Sequence, residues 1–195
     1  MAGEKRLLIT GFDPFGGGSI NPSWEAVRLL PERVGSFVLR KCQIPTRFRE
    51  GAQAVLDAAA DWQPDVILCV GQAGGRSAVT PERIGINLRD ARIPDNAGAR
   101  PQQESVVPGG PDGIFATVPV KKMAEAIQKA GCPAAVSNTA GTFVCNEVLY
   151  TLLHRYSGTE VQVGFVHVPY LPEQGEPNMP LEDIAKALEA AICAL

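Results

Sequence analysis

The chain reads as an α/β protein: one domain over residues 1–195, a three-layer α/β/α sandwich around a mostly parallel, twisted sheet. The first reason is rhythm. Short apolar runs alternate with helix-patterned segments along nearly the whole length. The second is the run "DVILCVG" (65–71), almost wholly apolar between Pro64 and Gly71, as suits a strand covered on both faces. The third is an interruption. Residues 72–118 are rich in Gly, Pro and polar side chains, and an excursion of that length is usually functional.

Taken in order, "RLLIT" (6–10) is a strand ending at Gly11. "NPSWEAVRLL" (21–30) is a helix, with Asn21 near its cap and Pro22 at its first position, where the missing N–H is tolerated. "SFVLRKCQI" (36–44) is strand-like, and "FREGAQAVLDAAADW" (48–62) is an alanine-rich helix. After the strand at 65–71, the excursion carries a strand-like piece, "RIGINLRDARI" (83–93), suited to a hairpin. A helix at 119–130 and a short strand "AAVSN" (134–138) follow. A helix at 142–156, a strand "EVQVGFVHV" (160–168) and an amphipathic helix at 180–194 complete the pattern.

Hydrophobic residues make up 45% and charged residues 20%, which is globular and excludes a disordered or fibrous chain. The net charge of −3 provides no basic footprint, so neither nucleic acid nor a membrane surface is an expected partner. No apolar run approaches the roughly 18 residues of a membrane span. The opening "MAGEKRLLIT" passes from charge straight into a strand, so it does not read as a signal peptide. Five cysteines, odd in number and never in CxxC spacing, argue against a disulfide framework or a zinc site and for a reducing cytoplasm. No metal or other cofactor is expected.

In a parallel open sheet, ligands gather beyond the carboxyl ends of the strands. That rule selects "GFDPFGGG" (11–18), "GQAGG" (71–75), "NTAGT" (138–142) and the end of the strand that carries His167. Neither glycine turn has the GxGxxG spacing of a dinucleotide site, and no Walker lysine follows. Phe12 and Phe15 are unusual for such a turn. They either fold back into the core or wall an apolar pocket for a small, flat, uncharged ligand.

Of the two histidines, His154 reads as a surface residue late in a helix. His167 shares a strand face with Val161, Val163 and Phe165, where a core role is the ordinary expectation, yet it ends that strand on the ligand rim. Cys145 also has two readings. It falls on the apolar stripe of Val148, Leu149 and Leu152, but in the first helical turn, where unsatisfied N–H groups and the helix dipole favour a thiolate. With His167 on the same rim, the thiol becomes a candidate nucleophile, and the histidine its base and acid. Asp13, Glu82, Asp90 and Asp95 all lie in rim loops, and spacing alone does not choose which of them orients the imidazole.

Several stretches, in order, resemble the pyroglutamyl peptidase type I (pyrrolidone-carboxylate peptidase) family of cysteine peptidases. They are "TGFDPFGG" (10–17), "NPSWEA" (21–26), "VGQAGGR" and "TPERIGIN" (70–87), "ARIPDN" (91–96), "AGTFVCN" (140–146) and "GFVHVPYLPEQ" (164–174). The resemblance implies an α/β/α fold and a triad of Cys145, His167 and Glu82. It implies a largely apolar substrate pocket from Phe12, Phe15, Thr46, Ile93, Phe143 and Val144, with Asn21 and Gln72 at the polar edge of a lactam and Arg92 close by. It further implies removal of N-terminal pyroglutamate from peptides by a cytoplasmic homo-oligomer, a tetramer. The rivals are another thiol amidase of a small cyclic amide and a non-catalytic binder of a small metabolite.

Overall fold

The computed structural model describes residues 4–195, so only the first three residues of the N-terminal stretch lie outside the described residues. Its strands are β1 (Lys5–Phe12), β2 (Arg33–Val34), β3 (Phe37–Ile44), β4 (Val66–Gln72), β5 (Thr80–Pro81), β6 (Ile84–Ile86), β7 (Gly113–Phe115) and β8 (Gln162–Val168). Its helices are α1 (Pro22–Leu29), α2 (Glu50–Trp62), α3 (Val120–Lys129), α4 (Val144–Arg155) and α5 (Leu181–Cys193). Six strands form one sheet in the order β2-β3-β1-β4-β8-β5. The four central strands are parallel, and the two-residue strands at the edges are antiparallel to their neighbours. Such short edges offer little backbone for pairing with another chain.

Period-two alternation builds the layers. Leu7 and Ile9 of β1, Leu68 and Val70 of β4, and Val166 and Val168 of β8 join one buried cluster with residues of α1, α3 and α5. Leu8 and Phe12, Ile67 and Cys69, and Val163 and Phe165 join the other, with residues of α2 and α4. The expected three-layer α/β/α arrangement follows directly. Among the described residues, no helix is long and apolar enough to cross a membrane.

Two local expectations change. The segment 134–138 is not a strand. It touches the outer side of β5 only through bridges at Val79–Ala134 and Glu82–Ser137, because its partner is itself too short to sustain a ladder. The stretch 83–93 is strand only at β6, which pairs with β7 as a small separate hairpin, while the rest wraps the rim. Asn146 of α4 holds this wrap in place. Its carboxamide accepts from the Ile86 N–H (2.9 Å) and donates to the carbonyls of Ile86 (2.9 Å) and Leu88 (3.0 Å).

Candidate active site

The carboxyl ends of β1, β4 and β8 and the starts of α1 and α4 enclose a cavity of about 320 Å³. Phe12, Phe15, Asn21, Thr46, Gln72, Arg92, Phe143, Cys145 and His167 all line it, as do Arg76 and the Thr139–Gly141 turn. A larger groove of about 550 Å³ adjoins it and shares Phe15 and Gln72, but it carries neither the thiol nor the imidazole. The smaller cavity is therefore where chemistry is possible.

Cys145 is the second residue of α4. The residue at the helix cap is Phe143, whose side chain has no acceptor, so the first-turn N–H groups have no side-chain cap. Beneath the thiol lies Gly71. A Cβ there would stand 2.9 Å from Cys145 Sγ and 2.8 Å from Phe165 Cζ, so only glycine lets helix and sheet meet at this point. Gly71 is the register partner of His167 across the β4–β8 ladder. Parallel neighbours direct their side chains to the same face at a spacing of about 4.8 Å, which puts the imidazole on the thiol's side of the sheet.

His167 is buried, with its ring 4.8 Å from that of Phe165. Its Nδ1 is 2.7 Å from Glu82 Oε1. Glu82 is 0% exposed and sits just past β5, with its N–H bonded to the Phe165 carbonyl at 2.9 Å. Burial alone would raise its carboxyl, but the hydrogen bond and charge of His167, with help from Ser137 and Arg76, hold it below the ordinary range. Burial lowers the His167 pKa despite the pull of Glu82. An ionised carboxylate can only accept, so Nδ1 carries the imidazole proton and Nε2 is left as an acceptor.

The thiol departs from expectation. Burial, followed by the Glu82 charge, pushes Cys145 up to about 12, against the smaller opposing effect of Arg76. The open helix end does not offset this. Burial thus favours the neutral thiol and the neutral imidazole, while the hydrogen bond from His167 favours the ionised carboxylate.

Other expected residues sort by geometry. Phe143 leans on Phe15 (6.2 Å between ring centroids) and on Phe48 (5.3 Å, edge-on), so Phe48 is an unforeseen support of the wall. Ile93 is 46% exposed and faces the grooves on either side of the cavity rather than the cavity itself. Val144 is fully buried and points into the α2 side of the core, so its side chain does not wall the pocket. Asn21 lines the cavity, yet its Oδ1 accepts from the Ser23 N–H (3.1 Å) and its Nδ2 donates to the Asp13 carbonyl (3.0 Å). Thr46 is tied to Asp13 through both its N–H (2.6 Å) and its hydroxyl (3.1 Å). Gln72 Oε1 accepts from Gln174 (3.0 Å), an orienting contact.

Three of the four candidate acids do other work. Asp13 joins the loop after β1 to Thr46 and Asn96, and Asp95 receives the N–H groups of Phe48, Ala97 and Ala99. The Asp90 backbone exchanges hydrogen bonds with Thr142. His154 is exposed, as expected of a surface residue. Cys42 is only half-buried, because it lies near the edge of the sheet rather than in its centre. Among the described residues, no group of His, Cys, Asp and Glu could hold a metal ion. The residue that sequence reasoning left without a role is Arg76. It lines the cavity, and its guanidinium reaches Glu82 Oε1 at 2.6 Å. Its signals were its place at the end of the stretch "VGQAGGR" and its position six residues before Glu82 in the same excursion.

A thiol and an imidazole facing one apolar cavity at the rim of a parallel sheet, with a buried acid behind them, are the working parts of a cysteine-type hydrolase. A model of the pyroglutamyl peptidase family matches residues 5–195, and the chain belongs to that family. A pyrrolidone-carboxylate peptidase of Levilactobacillus brevis is 50% identical over 197 residues, covering 97% of each chain. Another, from Escherichia fergusonii, is 51% identical and covers 96% of this chain and 91% of its own. The crystal structure of pyroglutamyl peptidase I from Bacillus amyloliquefaciens superposes with a TM-score of 0.95 at 47% identity, covering 98% of this chain and 96% of that one. The pyrrolidone carboxyl peptidase of Thermococcus litoralis, at 33% identity, still reaches a TM-score of 0.92 over 97% and 92% of the two chains.

Proposed function

We propose that this chain is a cysteine exopeptidase that removes an N-terminal pyroglutamyl residue from peptides, with Cys145, His167 and Glu82 as its catalytic group. One observation carries the reading: the buried Glu82 hydrogen-bonds His167, which shares the cavity wall with Cys145. The lactam ring is neutral and compact, so recognition rests on ring contact and a few hydrogen bonds. Phe12, Phe15 and Phe143 supply the former. Gln72, oriented by Gln174, supplies an amide for the latter.

His167 Nε2 takes the Cys145 proton as Sγ attacks the pyroglutamyl carbonyl carbon. The oxyanion develops beside the uncapped N–H groups at the start of α4. The imidazolium, stabilised by Glu82, returns the proton to the leaving amine, and a pyroglutamyl thioester remains. Water, activated by His167, then releases pyroglutamate and restores the thiol. We place this enzyme in the cytoplasm as a homo-oligomer, a tetramer by family resemblance, and its five unpaired cysteines favour a reducing compartment.

A panel of chromogenic amides tests the activity. Reduced protein is expected to cleave the pyroglutamyl derivative and to spare prolyl and glutamyl ones. Equal cleavage of all three would contradict lactam recognition, and no cleavage of any would make the chain a binder. Sedimentation showing only the 20.7 kDa monomer at micromolar concentration would contradict the assembly.

A further inference from the structure

Arg76 occupies a place that the reaction as described does not use. Its Nη1 donates to Glu82 Oε1 (2.6 Å) and Thr80 Oγ1 (2.5 Å), and its Nη2 to the Thr139 carbonyl (3.0 Å). The guanidinium thus bridges the segment that carries Glu82 and the turn that leads into α4. Its target atom is the informative detail. Arg76 and His167 meet the same carboxylate oxygen, at 2.6 and 2.7 Å, while Glu82 Oε2 is buried with no hydrogen-bond partner.

We propose that Arg76 is a positioning residue of this site: by donating to the oxygen that receives the His167 Nδ1–H, it keeps Glu82 an ionised, acceptor-only group and so fixes the tautomer of the imidazole. The inference rests on the roles given above to Glu82 and His167. Without Arg76, a fully buried carboxylate would keep only neutral partners, His167 and the help of Ser137. Its charged form is then costly, and such a group takes up a proton instead. A protonated Glu82 could donate to Nδ1, which would leave the proton of neutral His167 on Nε2. In that tautomer Nε2 cannot accept from the thiol, and the first step has no base. The guanidinium, protonated at every working pH, removes this alternative. The titratable and charged groups that face the cluster are Glu82 and Arg76 from the excursion, Cys145 from α4, Cys69 from β4, and Arg92 across the cavity. Of the two arginines, Arg76 makes the contact with the carboxylate.

The test substitutes Arg76→Gln and Arg76→Lys. Arg76 is partly exposed, so both variants are expected to fold. With only two histidines in the chain, 15N-histidine NMR separates His167 from His154 and reports which ring nitrogen bears the proton. In the parent protein, neutral His167 is expected to carry its proton on Nδ1. In Arg76→Gln the Nε2–H form appears as pH falls, while His154 is unchanged. kcat drops by about ten- to a hundredfold, the scale of a lost charge-assisted hydrogen bond, with the loss greatest at low pH and a smaller change in KM. Arg76→Lys restores the charge and the Nδ1–H tautomer, and recovers most of kcat. An unchanged tautomer and pH profile in Arg76→Gln would overturn the proposal, even if stability fell. Because the NMR readout needs no turnover, it separates failure of this inference from failure of the proposed activity.

Discussion

Two helices begin at the wall of the same cavity, and they begin in opposite ways. At α1, Asn21 accepts from the Ser23 N–H (3.1 Å) and hydroxyl (2.8 Å), Pro22 removes one donor, and Ser23 Oγ accepts from the Phe12 N–H (3.0 Å). That start is closed. At α4 the cap position holds Phe143, no side chain accepts from the first turn, and the thiol of Cys145 occupies the open end. The first helix anchors the phenylalanine wall, while the second leaves donors free for a charge that exists only during reaction. The same physical fact, the orphan N–H groups of a helix start, serves stability in one place and chemistry in the other.

The contrast breaks most visibly at the acid behind α4. Glu82→Gln keeps the shape of the buried side chain but removes its charge, and kcat is expected to fall by about 10³-fold or more with little change in KM. Steady-state kinetics with a pyroglutamyl amide check this, and an unchanged kcat would mean that the imidazole is held by another group. The resting state can also be read from pH. Because burial lowers the His167 pKa and raises the Cys145 thiol to about 12, the reactive form should carry both groups neutral. Lowering the pH protonates His167, so kcat/KM should fall through an acid limb below the ordinary histidine value of 6.5, with no alkaline limb from the thiol near neutrality. An alkaline limb from loss of an imidazolium proton, with the acid limb moved down to that of a depressed thiol, would indicate an imidazolium–thiolate pair at rest instead.

Smaller effects sharpen the comparison. Phe143→Ala removes the ring that bridges Phe15 and Phe48, and should weaken kcat/KM by about 1–3 kcal/mol, read against inhibition by free pyroglutamate. Asn21→Ala opens the start of α1 and should lower unfolding free energy by about 0.5–2 kcal/mol in urea, with kcat altered far less than in Glu82→Gln. A larger effect on turnover than on stability would give Asn21 a direct role at the lactam.

What could be read without coordinates follows from periodicity. The alternation of Leu7, Leu8 and Ile9, the apolar run through β4 and the strand that carries His167 build the layers, and Asn21-Pro22 announces its own cap. Cys145 was legible as a first-turn thiol. What stayed hidden depends on long-range packing. The segment 134–138 looks like a strand but meets a partner only two residues long. Val144 sits in a motif with Phe143, yet successive helical positions face different ways, so one walls the cavity and the other enters the core. Arg76 and His167 converge on one oxygen of Glu82 only through loop closure. The upward shift of the thiol reflects burial and a neighbouring carboxylate, neither of which a helix-start pattern reveals.

The central claim is that the thiol at the open start of α4 forms the covalent bond. It is tested most directly by acid-quenching the enzyme during turnover of a pyroglutamyl amide and mapping its peptides by mass spectrometry. A pyroglutamyl thioester is expected on the peptide containing Cys145, absent when substrate is omitted and lost on treatment with hydroxylamine. An acyl group on any other residue, or full turnover by Cys145→Ala, would contradict the account.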